Sequence, residues 1–476
     1  MMLRSSIWRT VVALFFALLM VACGTENSGD LAEGGIEGTG ITDDATYVSI
    51  GSITGFGSIF VNGVEYDTDS SAFLINDDDG SETQLKLAMV VTIEGGVNED
   101  GSTGIADRVV FDRDVKGPIS TITTLDSSNK LIIVLGLEIG VNEDIVFEGV
   151  SFATLEEGDV VEASGFINAE DQLVATRIEK LADAFQEGDK IEVEAKITTV
   201  DLDQQLFSLN SLTVDYSQAI LVRLPNDSPG VGDFVEVKAS GFTELGYLLA
   251  DKVKYKGERP NVGEGDKLEL EGVISEFVSA SEFTIRGITV NAENAIFKKG
   301  SITDLAAGIK VEVEGRINTS DVLEASEVTI KLGSSIKISA PVAGIDSGNG
   351  VITLLSVDLT VDEQTSFQDT GLDQLKYFNL DHVEIGDWLM IRATLIGDEV
   401  IASQIVRLEE KTHVTLNGPV ESVDLEMLTI LGVSVDISAV PDEDKIEIDL
   451  GDILSATGQI SGDIIFVTEL EREDDD

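Results

Sequence analysis

The chain of 476 residues has one cysteine, two histidines, two tryptophans and seven prolines, and its 31 Lys and Arg face 88 Asp and Glu. Each shortage excludes something. A single cysteine rules out internal disulfides, so no covalent staple holds the fold even in an oxidising compartment. The two histidines, His382 and His413, lie apart in the sequence and argue against a histidine-based triad or a His-rich metal site. A formal net charge of -57 repels phosphate backbones, and a single-strand groove needs basic residues and stacking aromatics, of which the chain has 6%. Nucleic acid is therefore excluded as a partner. What remains is 43% hydrophobic, with a mean hydropathy of +0.15, enough to bury real cores.

The one long apolar run is N-terminal. Met1 to Ala22 carries Arg4 and Arg9 ahead of Val11 to Val21, too short for an ordinary membrane span and patterned as a signal peptide. It ends on Met20-Val21-Ala22-Cys23, which resembles a bacterial lipobox, with Met20 where that pattern usually has Leu. Cys23 is the only cysteine, and acylation there would anchor the chain to a membrane. Gly24 follows it rather than the Asp associated with inner-membrane retention, so the resemblance implies an outer-membrane lipoprotein, periplasmic or surface-exposed. Residues 23–47 are Gly-rich, acidic and without period, the composition of a flexible tether.

Beyond the tether the chain repeats. Gly158-Asp-Val-Val-Glu-Ala-Ser-Gly-Phe166 has counterparts aligned on Ala88, Gly232, Gly308, Gly386 and Gly451, spaced 65 to 78 residues apart. A run of Ala-x-x-apolar follows each signature in five copies, at Ala106, Ala175, Ala250, Ala325 and Ala402. An opening strand precedes it, as in Gly117-Pro-Ile-Ser-Thr-Ile and Gly418-Pro-Val-Glu-Ser-Val. Between the two lie hairpins such as Phe283-Thr-Ile-Arg-Gly-Ile-Thr-Val-Asn, with period-two alternation around a tight turn. Ser301-Ile-Thr-Asp-Leu exemplifies one helical turn just before the signature.

These landmarks divide the chain into modules at 48–115, 116–182, 183–258, 259–333, 334–409 and 410–470, with an acidic tail at 471–476 expected to be disordered. The expected fold class is all-β: a tandem array of six small five-stranded, OB-like β-barrel modules, with an open sandwich as the competing arrangement. Modules this small bury little surface alone, so neighbours are expected to pack, and the array is expected to form a bent rod.

The opening run Gly51 to Val64, the signature at Gly158 to Phe166 and the Ala175 to Ile178 run together resemble the bacterial domain-of-unknown-function family 5666. The match is good in the first two modules, fair in the fourth to sixth and looser in the third. The resemblance implies a tandem-module envelope protein and supplies no catalytic residues.

No polar constellation recurs from module to module, so no enzyme, cofactor or metal site is expected. Paired carboxylates are arbitrary among 88. The acidic loops Asp77-Asp78-Asp79-Gly80 and Asn98-Glu99-Asp100-Gly101 fail the EF-hand pattern, because Ile75 and Gly96 fall where its first carboxylate belongs. The local anomaly is the fifth module, whose longer segment brings Tyr377, Phe378 and His382 ahead of Trp388. Trp388 stands where other modules have Val90, Val160, Phe234, Lys310 or Ile453, next to an invariantly aliphatic position. Alternation points that position away from the barrel, either under neighbouring structure or as a candidate interaction surface made of Trp388, Tyr377, Phe378 and His382. The expected function is a non-enzymatic envelope lipoprotein whose modules act as spacer and protein-interaction surface. The alternative is an array binding extracellular polysaccharide or a divalent cation such as calcium.

Overall fold

The computed structural model describes residues 46–257, 260, 262–331, 333–441 and 448–472. Cys23, the expected signal peptide, the expected tether up to residue 45 and residues 473–476 lie outside them, while Tyr47, placed at the end of the tether by the sequence, opens the first strand.

The protein is all-β, and the described residues form two 13-stranded sheets and one of 11 strands. The second repeat shows how one unit is built. Its opening strand Val115–Thr124 pairs antiparallel with Asn129–Val134, which turns through Leu135 and Gly136 into Leu137–Asn142. Signature strand Val160–Ile167 pairs antiparallel with both the opening strand and Leu173–Ala182. The cycle closes where Leu137–Asn142 meets Leu173–Ala182 in parallel, giving a small five-stranded barrel. The same order of pairings recurs in the first, fourth, fifth and sixth repeats.

Two features distinguish the unit from five purely antiparallel strands. One closing pair is parallel, and an extra short strand, Val146–Glu148 in the second repeat, also lies parallel to the last strand. The helical turn before the signature is a single 3-10 turn, as at Phe152–Thr154 and at Ile302–Asp304, which Ser301 caps.

The signature residues build this geometry. Gly158 sits at φ +95°, and its equivalents Gly232, Gly308, Gly386 and Gly451 fall between +87° and +95°, a region that favours glycine; Ala88 fills the position at +61°. Asp159 closes the same turn by accepting from Glu156 N at 3.1 Å, and Asp233, Asp387 and Asp452 do likewise in their repeats. The second glycine, Gly165, marks a β-bulge at which a Cβ would stand 2.2 Å from Val174 O. Bulges recur at Gly95, Ala239, Gly315, Ala393 and Gly458, bending the strand so that the sheet can close.

The repeats are not strung out as a bent rod. Strand Val115–Thr124 continues across to Ile191–Lys196 and joins the second repeat to the third. Ile336–Asp346 joins Val414–Asp424 and so the fifth to the sixth. Tyr47–Gly55 pairs in parallel with Lys267–Ser279, joining the first repeat to the fourth across more than two hundred residues of chain. Cores follow these joints: one buried cluster spans the second and third repeats, and another spans the fifth and sixth. A third adds Val48, Ile50 and Val90 of the first repeat and Phe166 of the second to the interior of the fourth. The physical reason is edge pairing, since each opening strand has an unpaired side that another opening strand satisfies. At the C-terminus, Glu471 and Arg472 belong to strand Ile464–Arg472 and are not part of a disordered tail.

Candidate functional site

The fifth-repeat aromatics do not form one surface. Trp388 is 9% exposed and Phe378 2% exposed, which corrects their reading as surface residues. The neighbouring Leu389 is fully buried. Trp388 shares a buried cluster with Phe378 and Val383 of the long segment, and its Nε1 donates to Ser339 Oγ at 3.1 Å. The segment thus covers the barrel's outer face, a packing that alternation leaves open. Phe378 is held against Phe367, with ring centroids 6.1 Å apart, and under the Arg407 guanidinium at 4.6 Å. Tyr377 and His382 are exposed. Tyr377 meets Phe56 of the first repeat edge-on at 6.5 Å, while Lys376 donates to Glu82 O at 3.2 Å, so the segment is a strap between two repeats.

The acidic loop at Asp77 is also structural. Its carboxylate pairs with Lys254, with Lys252 at 3.1 Å and with Lys238 at 3.7 Å, all from the third repeat. Burial acts to raise its pKa, but the lysines win and hold Asp77 well below the ordinary carboxylate range. At Asn98 to Gly101 the chain makes a hairpin turn in which Ser102 N donates to Asp100 Oδ1 at 3.1 Å.

A concave feature lies elsewhere, where the first, second, fourth and fifth repeats meet around a cavity of about 390 Å³. Its charged lining reverses the bias of the chain: Lys299, Lys310, Lys331 and Arg392 face two acids, Asp144 and Glu271. Ser52, Thr176, Ser334, Ser366, Thr394 and Ser403 add hydroxyls, and Phe166 and Ile330 an apolar wall.

Each cation is positioned by a neighbouring repeat or strand. Lys310 reaches Glu271 at 2.7 Å and lies 5.0 Å from the Phe166 ring centroid. Lys331 pairs with Glu312 at 2.6 Å, and Lys299 crosses to Asp362 at 2.6 Å. Arg392 of the fifth repeat pairs with Asp144 of the second, and its Nη2 donates to Glu143 O at 2.7 Å. Glu271, 4% exposed, also accepts from Ser52 N at 2.6 Å and Ser52 Oγ at 2.8 Å. Burial works against its charge, yet Lys310 and Lys331 hold its pKa down at about 2. The arrangement can bind and orient a polar ligand.

Sequence reasoning missed this cleft because its residues come from four repeats. One signal was present: Lys310 interrupts the otherwise apolar outward position of the signature strand.

The family model described as "Domain of unknown function (DUF5666)" matches residues 49–109, 116–179, 271–329 and 339–406, more than half of the chain, and the chain belongs to that family. The matched stretches are the first, second, fourth and fifth repeats, whereas the sequence reading also included the sixth and, more loosely, the third. No curated protein matches the chain. Among solved structures, "drosophila Unr CSD456" is similar at 17% identity over 46% of this chain and 98% of that chain. Its TM-score of 0.13 is too low to carry an argument.

Proposed function

We propose that this is a non-enzymatic bacterial cell-envelope lipoprotein, built from six OB-like five-stranded barrels, that holds an interaction surface at fixed geometry. The observation behind this reading is the fusion of repeats through shared sheets and cross-repeat ion pairs, which preorganises a surface assembled from several barrels. Folding the repeats together shortens the molecule's reach, so the weight falls on the interaction surface rather than on a spacer role. Lipid attachment at Cys23 places the protein at the outer membrane, facing the periplasm or the outside. Fractionation tests this: the full chain should sediment with membranes, and Cys23→Ser should release it in soluble form. Recovery of the unaltered protein from the cytoplasm would sink the proposal.

A second reading, carbohydrate binding, is favoured by the hydroxyl-rich cleft at the four-repeat junction. The divalent-cation variant loses its best loop, since Asp77 is engaged by lysines.

A further inference from the structure

We propose that Lys256 and Asp112 condense to an amide, with Glu194 as the acid that assists, so that the first and third repeats become covalently joined. The shortage of cysteine excludes disulfides and does not bear on a bond of this kind.

Three elements bring the groups together. Asp112 lies just past strand Thr103–Phe111 of the first repeat, while Glu194 is on Ile191–Lys196 and Lys256 directly follows Leu248–Tyr255, both of the third. Lys256 Nζ stands 2.6 Å from Asp112 Oδ2 and 2.9 Å from Glu194 Oε1. The backbone here is fixed, since Glu194 N donates to Asp114 O at 2.8 Å and Lys256 N to Phe234 O at 3.0 Å. Nucleophile, electrophile and acid are thus held at reacting distance, which replaces a bimolecular encounter.

The surroundings favour condensation. Asp112, Asp114, Glu194 and Glu236 meet Lys256 and Arg286 in one interior, and condensation removes a buried charge of each sign. Burial, with Asp114 and Asp112 adding to it, pushes Glu194 up to about 8, so it keeps a proton to donate at neutral pH. Its Oε1 is buried and makes no aligned hydrogen bond among the described residues. Burial disfavours the Lys256 ammonium, but Glu194 and Asp112 outweigh it and keep the proton on. A bond made once per chain needs only a small fraction of free amine.

The step balances within the protein. The ammonium passes a proton to the Asp112 carboxylate, and the free amine attacks Cγ. Glu194 donates to the departing hydroxyl and then recovers a proton from the new amide nitrogen. A C–N bond forms, a C–O bond breaks and water leaves. Two other lysine–aspartate pairs between repeats lack a part. Asp77 is shared by Lys238, Lys252 and Lys254, which hold it ionised and poorly electrophilic. Lys299 reaches Asp362 at 2.6 Å, but the group beside it is Gln364 at 3.3 Å, which has no acidic proton. Joining positions 144 residues apart would restrict the unfolded chain as a long-loop disulfide does.

The test is peptide mass mapping of the full chain, purified in detergent, denatured and digested with trypsin. The peptides holding Asp112 and Lys256 should appear joined, at their summed mass less one water, with no cleavage after Lys256. Lys256→Arg should give them separately. Asp112→Asn should still link, now losing ammonia in place of water, an outcome that a merely structural ion pair cannot give. Glu194→Gln, in samples that still melt cooperatively, should link about a hundredfold more slowly, read as the linked fraction against time in freshly made protein. Separate peptides from the unaltered protein overturn the proposal. A link from Lys256 to Glu194 overturns the choice of Asp112, and unchanged kinetics in Glu194→Gln overturn the part given to Glu194.

Discussion

At the scale of single residues, the signature is structural chemistry. Gly158 supplies a left-handed turn, Asp159 caps that turn, and Gly165 lets two backbones approach at a bulge. Repeats that lose the aspartate, with Met89 and Ile309, keep the turn, as Lys86 N to Met89 Sδ at 3.3 Å illustrates. Trp388 carries a different lesson. Its place on the outward side of the signature strand was readable from alternation, and cover by neighbouring structure was one of the two readings the sequence offered; the structure supplies that cover from the long segment, with Phe378 and Val383. Trp388→Ala should destabilise the protein by roughly 3–5 kcal/mol, the usual cost of truncating a buried aromatic, measured as a lower urea midpoint. A midpoint unchanged from the parent would mean that the indole is exposed after all.

Joints between repeats operate at the scale of elements. Tyr47–Gly55 and Lys267–Ser279 pair in parallel, and the joint is clamped by side chains. Tyr47 OH and Ser49 Oγ donate to Glu269 Oε2 at 3.1 and 2.9 Å, and Ser52 donates twice to Glu271. Burial and the adjacent Glu312 push the Glu269 carboxyl up, so two buried glutamates two residues apart on one strand are set in opposite directions. Because Glu271 is held at about 2, the stability it contributes is present above the ordinary glutamate value and lost as pH falls through about 2. Glu271→Gln should cost about 3 kcal/mol at neutral pH, because it strips the partner from Lys310 and removes a nearby negative charge from Lys331, which keeps its pair with Glu312. The difference from the parent should shrink in acid, and a constant difference down to pH 2 would contradict the assignment.

At the scale of the whole molecule, a buried charge cluster lies where the repeats converge. Asp114, from the link between the first two repeats, accepts from the bulge nitrogen of Gly165 at 3.0 Å, and burial raises it to about 6 despite Arg286 nearby. Glu194 of the third repeat pairs with Lys256 at 2.9 Å, but burial, with Asp114 and Asp112 adding to it, pushes Glu194 to about 8. A raised carboxyl favours the folded state while protonated. Its stability is full below the ordinary glutamate value and declines as pH rises through about 8. Thermal stability should therefore fall across that window, by an amount on the order of a few kcal/mol. Glu194→Gln should flatten the slope, and an unchanged pH profile in this variant would refute the placement.

The sequence by itself determined the repeat, its all-β character and the turn chemistry, because these depend on alternation, glycine and Asp within a few residues of one another. It also determined which signature position faces inward: Val91, Val161, Val235, Val311, Leu389 and Leu454 are all buried. Tertiary structure decided which repeats share a sheet, why Trp388 is covered and where the cleft forms. Edge strands pair through backbone groups common to every residue, so the partner of Tyr47–Gly55 carries no local mark. Lys310, Arg392 and Asp144 likewise acquire their relation only once repeats far apart in the chain are brought together.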